Sequence, residues 1–313
     1  MDKKIVLVTG ADGFIGRNLV PKLAEIFSEV IAITHNNFLE TNTPNVTNIK
    51  MSVVNYEGLE EIINKKSPNV IYNIAGILSD ECIKNPLDCF RVNSVGTLNI
   101  LELSRRHDVQ LTILISSVSV LRRGLPEPVV DESPLLISNE PYGASKLCAE
   151  AISNAYRETY GLKTVSLRYP WIYGYGRRRG GTSFASTFIE DAFLRKKFYL
   201  PDATGGWIYI DDVLRSLLIL LDKGSIKGTY NINGEIRSTR EALDIIKEII
   251  PDAEGTIVPL EPNSPVNKWV SQMDDSSARR DLGWEQKFSL RDGIVEYIKL
   301  LEKNSKRSQQ HQS

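Results

Sequence analysis

A glycine-rich turn near the amino terminus constrains this chain more than any other segment. Residues 5–9 (IVLVT) predict a buried strand, and residues 14–27 carry apolar side chains at helical spacing. The turn between them contains Gly10, Gly13 and Gly16. The first glycine permits a tight turn, the second lets the backbone approach a pyrophosphate, and the third allows close helix packing. Because a helix amino terminus also attracts negative charge, the turn predicts a dinucleotide site.

Strand-like and helical segments alternate through the first half of the chain. The strands are predicted at 29–34, 70–74, 111–116 and 164–168, and the helices at about 56–65, 88–106 and 141–160. This alternation predicts an α/β fold of the Rossmann type, in which helices cover both faces of a doubly wound parallel sheet.

The pattern changes after residue 169, and this change predicts a second, smaller region. A stretch rich in glycine and arginine (174–181, GYGRRRGG) comes first, and the chain from residue 303 on has almost no apolar side chains. We therefore divide the chain as follows. The dinucleotide-binding domain is predicted at 1–168, joined by parts of 205–235, with a mainly substrate-binding α/β region at 169–302 and a flexible tail at 303–313.

The composition argues against several classes of partner. The 38 Lys and Arg residues are balanced by 39 Asp and Glu, so we expect neither a nucleic acid nor an anionic membrane as partner. The three cysteines lack CxxC spacing and the three histidines are dispersed, so we predict no metal site and a reducing cytoplasmic location. No apolar run approaches the length of a membrane span. A small molecule is therefore the expected partner.

Two later segments supply candidate catalytic residues. Ser117 follows the strand at 111–116, and Tyr142 and Lys146 lie four residues apart on a predicted helix. A free tyrosine, with a pKa of about 10, is a poor base, but an ammonium group on the same helix face favours the phenolate. We predict Tyr142 as acid/base for hydride transfer, assisted by Lys146, with Ser117 holding the substrate oxygen. Singly, each could be a packing or surface residue; the combination with the glycine turn favours chemistry.

The glycine turn, followed by Ser117 and then by Tyr142 and Lys146, resembles the pattern of the extended short-chain dehydrogenase/reductase family. This family includes nucleotide-sugar epimerases and dehydratases. The resemblance covers nearly the whole chain and implies an enzyme that uses NAD or NADP. It also implies a homodimer that pairs through the helices at 88–106 and 141–160. The further matching segments are NIAG at 73–76, NSVGT at 93–97, RYPWIYG at 168–174, YIDDV at 209–213 and DLGW at 281–284.

The resemblance also implies a set of cofactor contacts. At the end of the second strand an acidic residue would bind the NAD ribose and an arginine would bind the NADP phosphate. The chain has Thr34 and His35 there, so NAD and NADP both remain open. The complete predicted set, besides Tyr142 and Lys146, is Gly10, Asp12, Gly13, Phe14, Ile15, Gly16, Thr34, His35, Ser52, Val53, Ala75, Gly76, Asn93, Tyr169 and Pro170.

The substrate end departs from the family pattern. The run 118–120 (VSV) replaces the Thr-Asp-Glu type of run that dehydratases carry, which argues against dehydration. The run 205–207 (GGW) lacks the arginine that would pair with a nucleotide diphosphate, although Arg177 could supply an anion contact or simply be solvated. Trp171 and Trp207 could stack on a base or sugar, or pack in the core. The predicted substrate residues are Ser117, Ser119, Tyr142, Trp171, Arg177 and Trp207.

Three functions remain open. The first, which we favour, is a nucleotide-sugar epimerase acting by hydride transfer with Tyr142 as acid/base. The second is a dehydrogenase or reductase of a smaller alcohol or ketone, because the Gly-Gly-Thr loop at 180–182 also resembles the threonine-dehydrogenase branch. The third is a non-catalytic dinucleotide sensor, which has no need of the Ser117, Tyr142 and Lys146 set.

Overall fold

A computed structural model describes residues 4–35, 37–121, 138–224, 226, 228–260 and 272–310. Within these ranges the strands are β1 (Ile5–Thr9), β2 (Glu29–Thr34), β3 (Val46–Lys50), β4 (Val70–Asn73), β5 (Leu111–Ser117), β6 (Thr164–Tyr169), β7 (Trp171–Tyr173), β8 (Phe198–Pro201), β9 (Thr204–Tyr209), β10 (Thr229–Asn231), β11 (Glu235–Ser238) and β12 (Gly255–Val258). The helices are α1 (Phe14–Ala24), α2 (Tyr56–Lys66), α3 (Ser79–Lys84), α4 (Pro86–Phe90), α5 (Gly96–Arg106), α6 (Pro141–Tyr160), α7 (Phe184–Phe193), α8 (Ile210–Leu218), α9 (Thr239–Ile249) and α10 (Leu290–Gln310).

The central sheet has seven parallel strands in the order β10-β6-β5-β4-β1-β2-β3. The predicted α/β fold with a doubly wound parallel sheet is therefore confirmed. The chain passes from β1 to β2 and β3 on one side and then to β4 on the other, so the strand order reverses between β1 and β4. In open α/β sheets the carboxyl ends of the strands border a ligand-binding crevice at this reversal.

Both faces of the central sheet are buried. On β1, Val6 and Val8 belong to one core cluster and Leu7 to the other, and all three are fully buried. Leu19 of α1 packs in the first cluster, and Ile100 of α5 packs in the second. Because neighbouring side chains of a strand both meet a helix layer, the strands appear in the sequence as continuous apolar runs rather than as alternation.

Two small sheets follow the first six strands of the chain. One has the order β11-β9-β7, and in the other β8 pairs with β12 in parallel. Their core is aromatic: the ring of Trp207 packs edge to face against Trp171 and Phe184, with centroid separations of 5.4 and 6.3 Å. β10 extends the central sheet beside β6. The second half of the chain therefore contributes a strand to the central sheet as well as the two small sheets.

The helix predicted at 88–106 is interrupted. It consists of α4 and α5 joined by a π-helical turn, Arg91–Val95. Gly96 lies at this junction, where a Cβ would come within 2.5 Å of the Val53 side chain. The turn also buries Asn93. Periodicity alone did not reveal the break because both halves keep their apolar stripe.

The carboxyl-terminal helix extends further than expected. Residues 303–310, predicted as part of a flexible tail, continue α10, while residues 311–313 lie outside the described ranges. The prediction relied on low apolar content, which bears on burial, whereas lysine, arginine and glutamine are good helix formers. None of the helices in the described ranges is long and apolar enough to cross a membrane.

Cys82 and Cys89 form a disulfide between α3 and α4. Their Cα atoms lie 5.0 Å apart, because the two short helices meet at Asn85. The absence of CxxC spacing predicted a reducing location, whereas these two cysteines are joined in the structure. A spacing rule does not detect cysteines that a turn between two helices brings together.

Candidate active site

The glycine turn after β1 is possible only without side chains. Gly10 has φ +64°, and a Cβ there would lie 2.8 Å from the backbone of Ala75. A Cβ on Gly16 would lie 2.3 Å from the Gly10 carbonyl oxygen, so α1 can approach the turn only through glycine. Gly13 is exposed at the amino end of α1, where the backbone is open to a ligand. Asp12, Phe14 and Ile15 are half-buried around it.

A hydroxyl group joins the ends of β1 and β4. Thr9 Oγ1 donates to Asn73 Oδ1 at 2.7 Å and accepts from the N–H groups of Ile74 and Ala75, both at 3.1 Å. Asn73 in turn donates to Thr97 Oγ1 of α5 at 3.0 Å. These bonds set the path of the loop from Ala75 to Gly76 along the glycine turn.

The end of β2 offers a hydroxyl group to a ligand. Thr34 is almost fully buried, and its Oγ1 has no hydrogen-bond partner among the described residues. His35 is exposed, and Ser52 is half-buried. Val53 is buried, and its carbonyl accepts from Asn99. A glycine cradle beside a strand end with an unsatisfied hydroxyl fits a dinucleotide, because a ribose could satisfy Thr34 and a pyrophosphate could lie on the glycine backbone.

Ser117, Tyr142 and Lys146 converge at the carboxyl ends of the central strands. Ser117 ends β5, while Tyr142 and Lys146 lie in the first turns of α6. Lys146 Nζ donates to the Ile115 carbonyl at 2.9 Å and lies 5.9 Å from the centre of the Tyr142 ring. The Ser117 hydroxyl forms a hydrogen bond with the Tyr142 phenol. A Cβ on Gly76 would lie 3.2 Å from Lys146 Nζ, so the loop after β4 covers the same point.

Burial shifts the two titratable groups in opposite directions. It raises the pKa of Tyr142 to about 12, and the hydrogen bond from Ser117 and the charge of Arg177 oppose this shift. It lowers the pKa of Lys146 to about 8, and the Glu150 carboxylate opposes that shift. In both cases the desolvated site disfavours the charged form. The resting pair at neutral pH is therefore a neutral phenol beside an ammonium group.

Asn93 ties the loop after β4 to the catalytic helix. Its side chain accepts from Ile77 N–H at 2.8 Å and donates to the Ile77 carbonyl at 3.1 Å. It also donates to Ser145 Oγ at 2.9 Å, and Ser145 bonds the Tyr142 carbonyl at 2.7 Å. Asn93 thus holds protein groups in place.

Ser119, expected at the substrate, donates to Ser117 Oγ at 2.9 Å and is buried.

Arg177 is the member of the 177–179 arginine run that turns inward. Its guanidinium donates to the Ile172 carbonyl and, at 2.6 Å, to Thr182 Oγ1. Burial lowers the pKa of Arg177 to about 10, opposed by Tyr142, so the group is charged at neutral pH and close to the phenol. Arg178 and Arg179 are exposed. A cation therefore lies near enough to the predicted acid/base for its charge to affect the phenol.

The aromatic residues near the site are mostly packing groups. Trp207 is fully buried, and its indole N–H donates to the Arg237 carbonyl at 2.9 Å. Trp171 is only 4% exposed, so stacking on a ligand would require both rings to leave the core. The Tyr169 hydroxyl pairs with Ser216 at 2.7 Å, away from the sheet edge, which leaves its backbone and the half-buried Pro170 for any cofactor contact.

One buried charge pair near Lys146 was not predicted. Glu150 follows Lys146 by one helical turn, and Arg168 on β6 pairs with it at 2.8 Å. The spacing of Lys146 and Glu150 indicates that the two side chains are neighbours, because residues four apart share a helix face. No local pattern indicated that Arg168 would be the partner of Glu150.

The fold and the site together define a Rossmann-type enzyme that binds a nicotinamide dinucleotide. The sequence profile described as "NAD dependent epimerase/dehydratase family" matches residues 6–233, and the chain belongs to that family. A Methanocaldococcus jannaschii protein, provisionally assigned as a UDP-glucose 4-epimerase, is 30% identical over 96% of this chain and all of its own length.

Two solved structures extend the comparison. A monomeric L-threonine 3-dehydrogenase from a metagenome, in its apo form, has a TM-score of 0.88 and 26% identity, covering 95% of this chain and 99% of its own. A UDP-glucose 4-epimerase from Thermotoga maritima, solved with UDP-glucose, has a TM-score of 0.85 and 26% identity, covering 96% and 99%. This chain is therefore an epimerase or oxidoreductase of the extended short-chain type, as the sequence predicted.

Replacing Lys146 by methionine should stabilise the fold near neutral pH. Burial lowers the pKa of Lys146 to about 8 from an ordinary value of 10.5, so the folded state holds this proton less tightly than the unfolded chain. The resulting penalty is complete below pH 8 and disappears as the pH rises to 10.5. We expect Lys146→Met to gain about 1–2 kcal/mol of unfolding free energy at pH 7, less at pH 10.

Thermal unfolding at the two pH values measures this difference. Lys22→Met, at an exposed lysine of α1, controls for the change of residue type. A lower melting temperature for Lys146→Met than for the wild type at pH 7 would contradict the assignment of a destabilising buried ammonium.

Proposed function

We propose that this protein is an NAD-dependent dehydrogenase of a short hydroxy acid, with a β-hydroxy-α-amino acid such as L-threonine as the substrate class. The observation that carries the proposal is the inward guanidinium of Arg177, which Ile172 and Thr182 hold where its charge acts on the Tyr142 phenol. Two of its five N–H donors bond these partners in the described part of the chain, which leaves three for a ligand.

The position of this charge favours a small acid over a nucleotide sugar. In a nucleotide sugar a whole pyranose ring separates the diphosphate from the carbon at position 4, whereas in a β-hydroxy-α-amino acid only the α-carbon separates the carboxylate from the carbinol carbon. A cation beside Tyr142 therefore matches a carboxylate, and bidentate Arg–carboxylate bonds are strong. The diphosphate arginine is also missing: a Cβ on Gly205 would lie 2.5 Å from the Trp171 indole, so no larger side chain fits.

The proposed chemistry assigns one role to each residue. Ser117 holds the substrate hydroxyl, Tyr142 accepts its proton once the phenol has lost its own proton to solvent and is a phenolate, and Arg177 fixes the carboxylate. Lys146 lowers the energy of the Tyr142 phenolate while that proton is transferred. Bound NAD supplies the hydride acceptor.

We propose NAD rather than NADP as cofactor. Residues 29–55 contain no arginine, and Lys50 is their only lysine. The unsatisfied Thr34 hydroxyl suits a ribose hydroxyl group better than a phosphate dianion.

A nucleotide-sugar epimerase is the second candidate. The 30% identity to the archaeal relative over its full length supports it, as does the likeness to the Thermotoga maritima enzyme. In that cycle NAD would be reduced and reoxidised without release.

We also propose a homodimer. Five large apolar side chains that are 37–64% exposed fall within the short segment 83–98, and such a concentration of exposed apolar side chains is typical of an interface. They are Ile83, Leu87, Phe90, Val95 and Leu98.

Removing the proposed anion anchor should weaken substrate binding selectively. With L-threonine as probe and NAD as oxidant, we expect NADH formation by the wild type and a KM about 100-fold higher for Arg177→Gln. Arg179→Gln, at an exposed position on the same loop, should leave KM unchanged. Interconversion of UDP-galactose and UDP-glucose without NADH release, and no threonine oxidation, would overturn the dehydrogenase and support the second candidate.

Removing the phenol should abolish proton transfer but not cofactor binding. Tyr142→Phe is expected to lose about 10³-fold in kcat and to bind NAD as tightly as the wild type by calorimetry. Tyr175→Phe, at an exposed tyrosine, serves as the matched control. Full turnover by Tyr142→Phe would refute the assignment of the acid/base.

Light scattering after gel filtration tests the dimer. We expect twice the chain mass for the wild type and a monomer for Leu87→Glu, because a buried charge in an interface is unfavourable. Tyr199→Glu is a matched control, since Tyr199 and Leu87 are both 64% exposed. A wild-type monomer would contradict the proposal and align the chain with its metagenomic relative.

A further inference from the structure

A buried ion pair lies near Lys146, one helical turn further along α6. Arg168 Nε and Nη2 donate to the two carboxylate oxygens of Glu150 at 2.9 and 2.8 Å. The Ser116 hydroxyl also donates to Glu150. The two charged side chains are only 1% and 3% exposed, and none of the catalytic roles proposed above uses them.

A small polar cavity separates this pair from Lys146. It has room for about one water molecule. Lys146, Glu150 and Ser166 contribute to its wall, together with Thr97 and Asn73. Ser166 is 1% exposed, and its Oγ has no hydrogen-bond partner in the described part of the chain. A buried hydroxyl without a partner is costly, so this cavity suits a bound water.

The remaining hydrogen-bonding capacity of the wall matches one water molecule. Lys146 has three N–H donors, and Ile115 takes one of them. Glu150 Oε1 accepts from Ser116 and Arg168, whereas Oε2 accepts from Arg168 and retains a lone pair within this network. A water here would accept from Lys146 and donate to Glu150 and Ser166, which gives it the usual number of partners.

We propose that the cavity binds one water molecule that connects the Lys146 ammonium to the Glu150 carboxylate and the Ser166 hydroxyl. Glu150 is thereby a positioning residue that keeps Lys146 charged and oriented toward Tyr142. This inference rests on the proposed roles of Tyr142 and Lys146, but it does not depend on the identity of the substrate.

The charges around Lys146 explain why Glu150 is needed. On α6 the titratable neighbours are Tyr142 and Glu150, and β6 adds Arg168. The cavity-lining residues of β4 and α5 are the neutral Asn73 and Thr97, and β5 contributes a carbonyl and Ser116. Without Glu150, Lys146 would lose the negative charge that offsets its burial. The Glu150 carboxylate already opposes the burial that lowers the pKa of Lys146 to about 8.

The test is an NMR titration of Lys146 in substrate-free protein labelled with ¹³Cε-lysine, with the resonance assigned from Lys146→Met. We expect the pKa of Lys146 to fall by about one unit in Glu150→Gln and to fall also in Ser166→Val, in which a methyl group replaces the hydroxyl and fills the cavity. Thr112→Val also replaces a buried hydroxyl by a methyl group, at a β5 residue that bonds Ser104 outside the cavity wall, and should leave the titration unchanged.

Ser166→Val keeps the ion pair, so the test survives if Glu150→Gln does not fold. An unchanged Lys146 titration in Glu150→Gln would overturn the positioning role. An unchanged titration in Ser166→Val would overturn the water link, as would a high-resolution crystal structure of the wild type without a water peak in the cavity.

The pH profile of kcat/KM provides a second readout. Its alkaline limb should move about one unit lower in Glu150→Gln and in Ser166→Val, whereas a purely structural role would lower the rate at every pH alike. Failure of the proposed function can be distinguished from failure of this inference. Lack of threonine oxidation, or full activity of Tyr142→Phe, would contradict the proposed function, but neither would change the titration of Lys146 in substrate-free protein.

Discussion

The hydrogen bond from Lys146 to the Ile115 carbonyl is the interaction on which the site depends. It places an ammonium group inside the protein at the end of β5, where a charge is unfavourable unless its donors are satisfied. The sheet order makes this possible, because β5 lies between β4 and β6 and beneath α6. Ser117, Tyr142 and the loop at Gly76 meet at that cation only because these four elements are neighbours.

This arrangement gives the pair of titratable groups a defined resting state. Burial raises the pKa of Tyr142 to about 12 and lowers that of Lys146 to about 8, so at neutral pH Lys146 is the ammonium that the chemistry needs, whereas Tyr142 is still a neutral phenol. Arg177 already opposes the raised pKa of Tyr142 in the resting protein. The added positive charge of an oxidised nicotinamide would move Tyr142 further toward the phenolate. The protein therefore couples proton transfer to occupation of the site.

The sequence predicted the parts of the molecule that depend on local patterns. Strand and helix periodicity give the doubly wound sheet, and the glycine turn is local because Gly10 and Gly16 touch each other. Pairings across the fold were not predictable: Arg168 reaches Glu150 from a different element, and the inward turn of Arg177 depends on the Ile172 carbonyl. The full burial of Trp207 likewise follows from packing that no local pattern encodes.

The question of substrate comes down to where the protein places positive charge. A cation beside the acid/base can stabilise only a group attached close to the reacting carbon, since charge-assisted bonds act over hydrogen-bond distances. Position 205 has no room for a side chain: Trp171 fills the space that it would need, and Trp171 is itself held in the aromatic core. To gain a diphosphate anchor at that position, the chain would have to repack its core. A change from a small-acid dehydrogenase to a nucleotide-sugar epimerase would therefore require the core to repack, and a single substitution would not be enough.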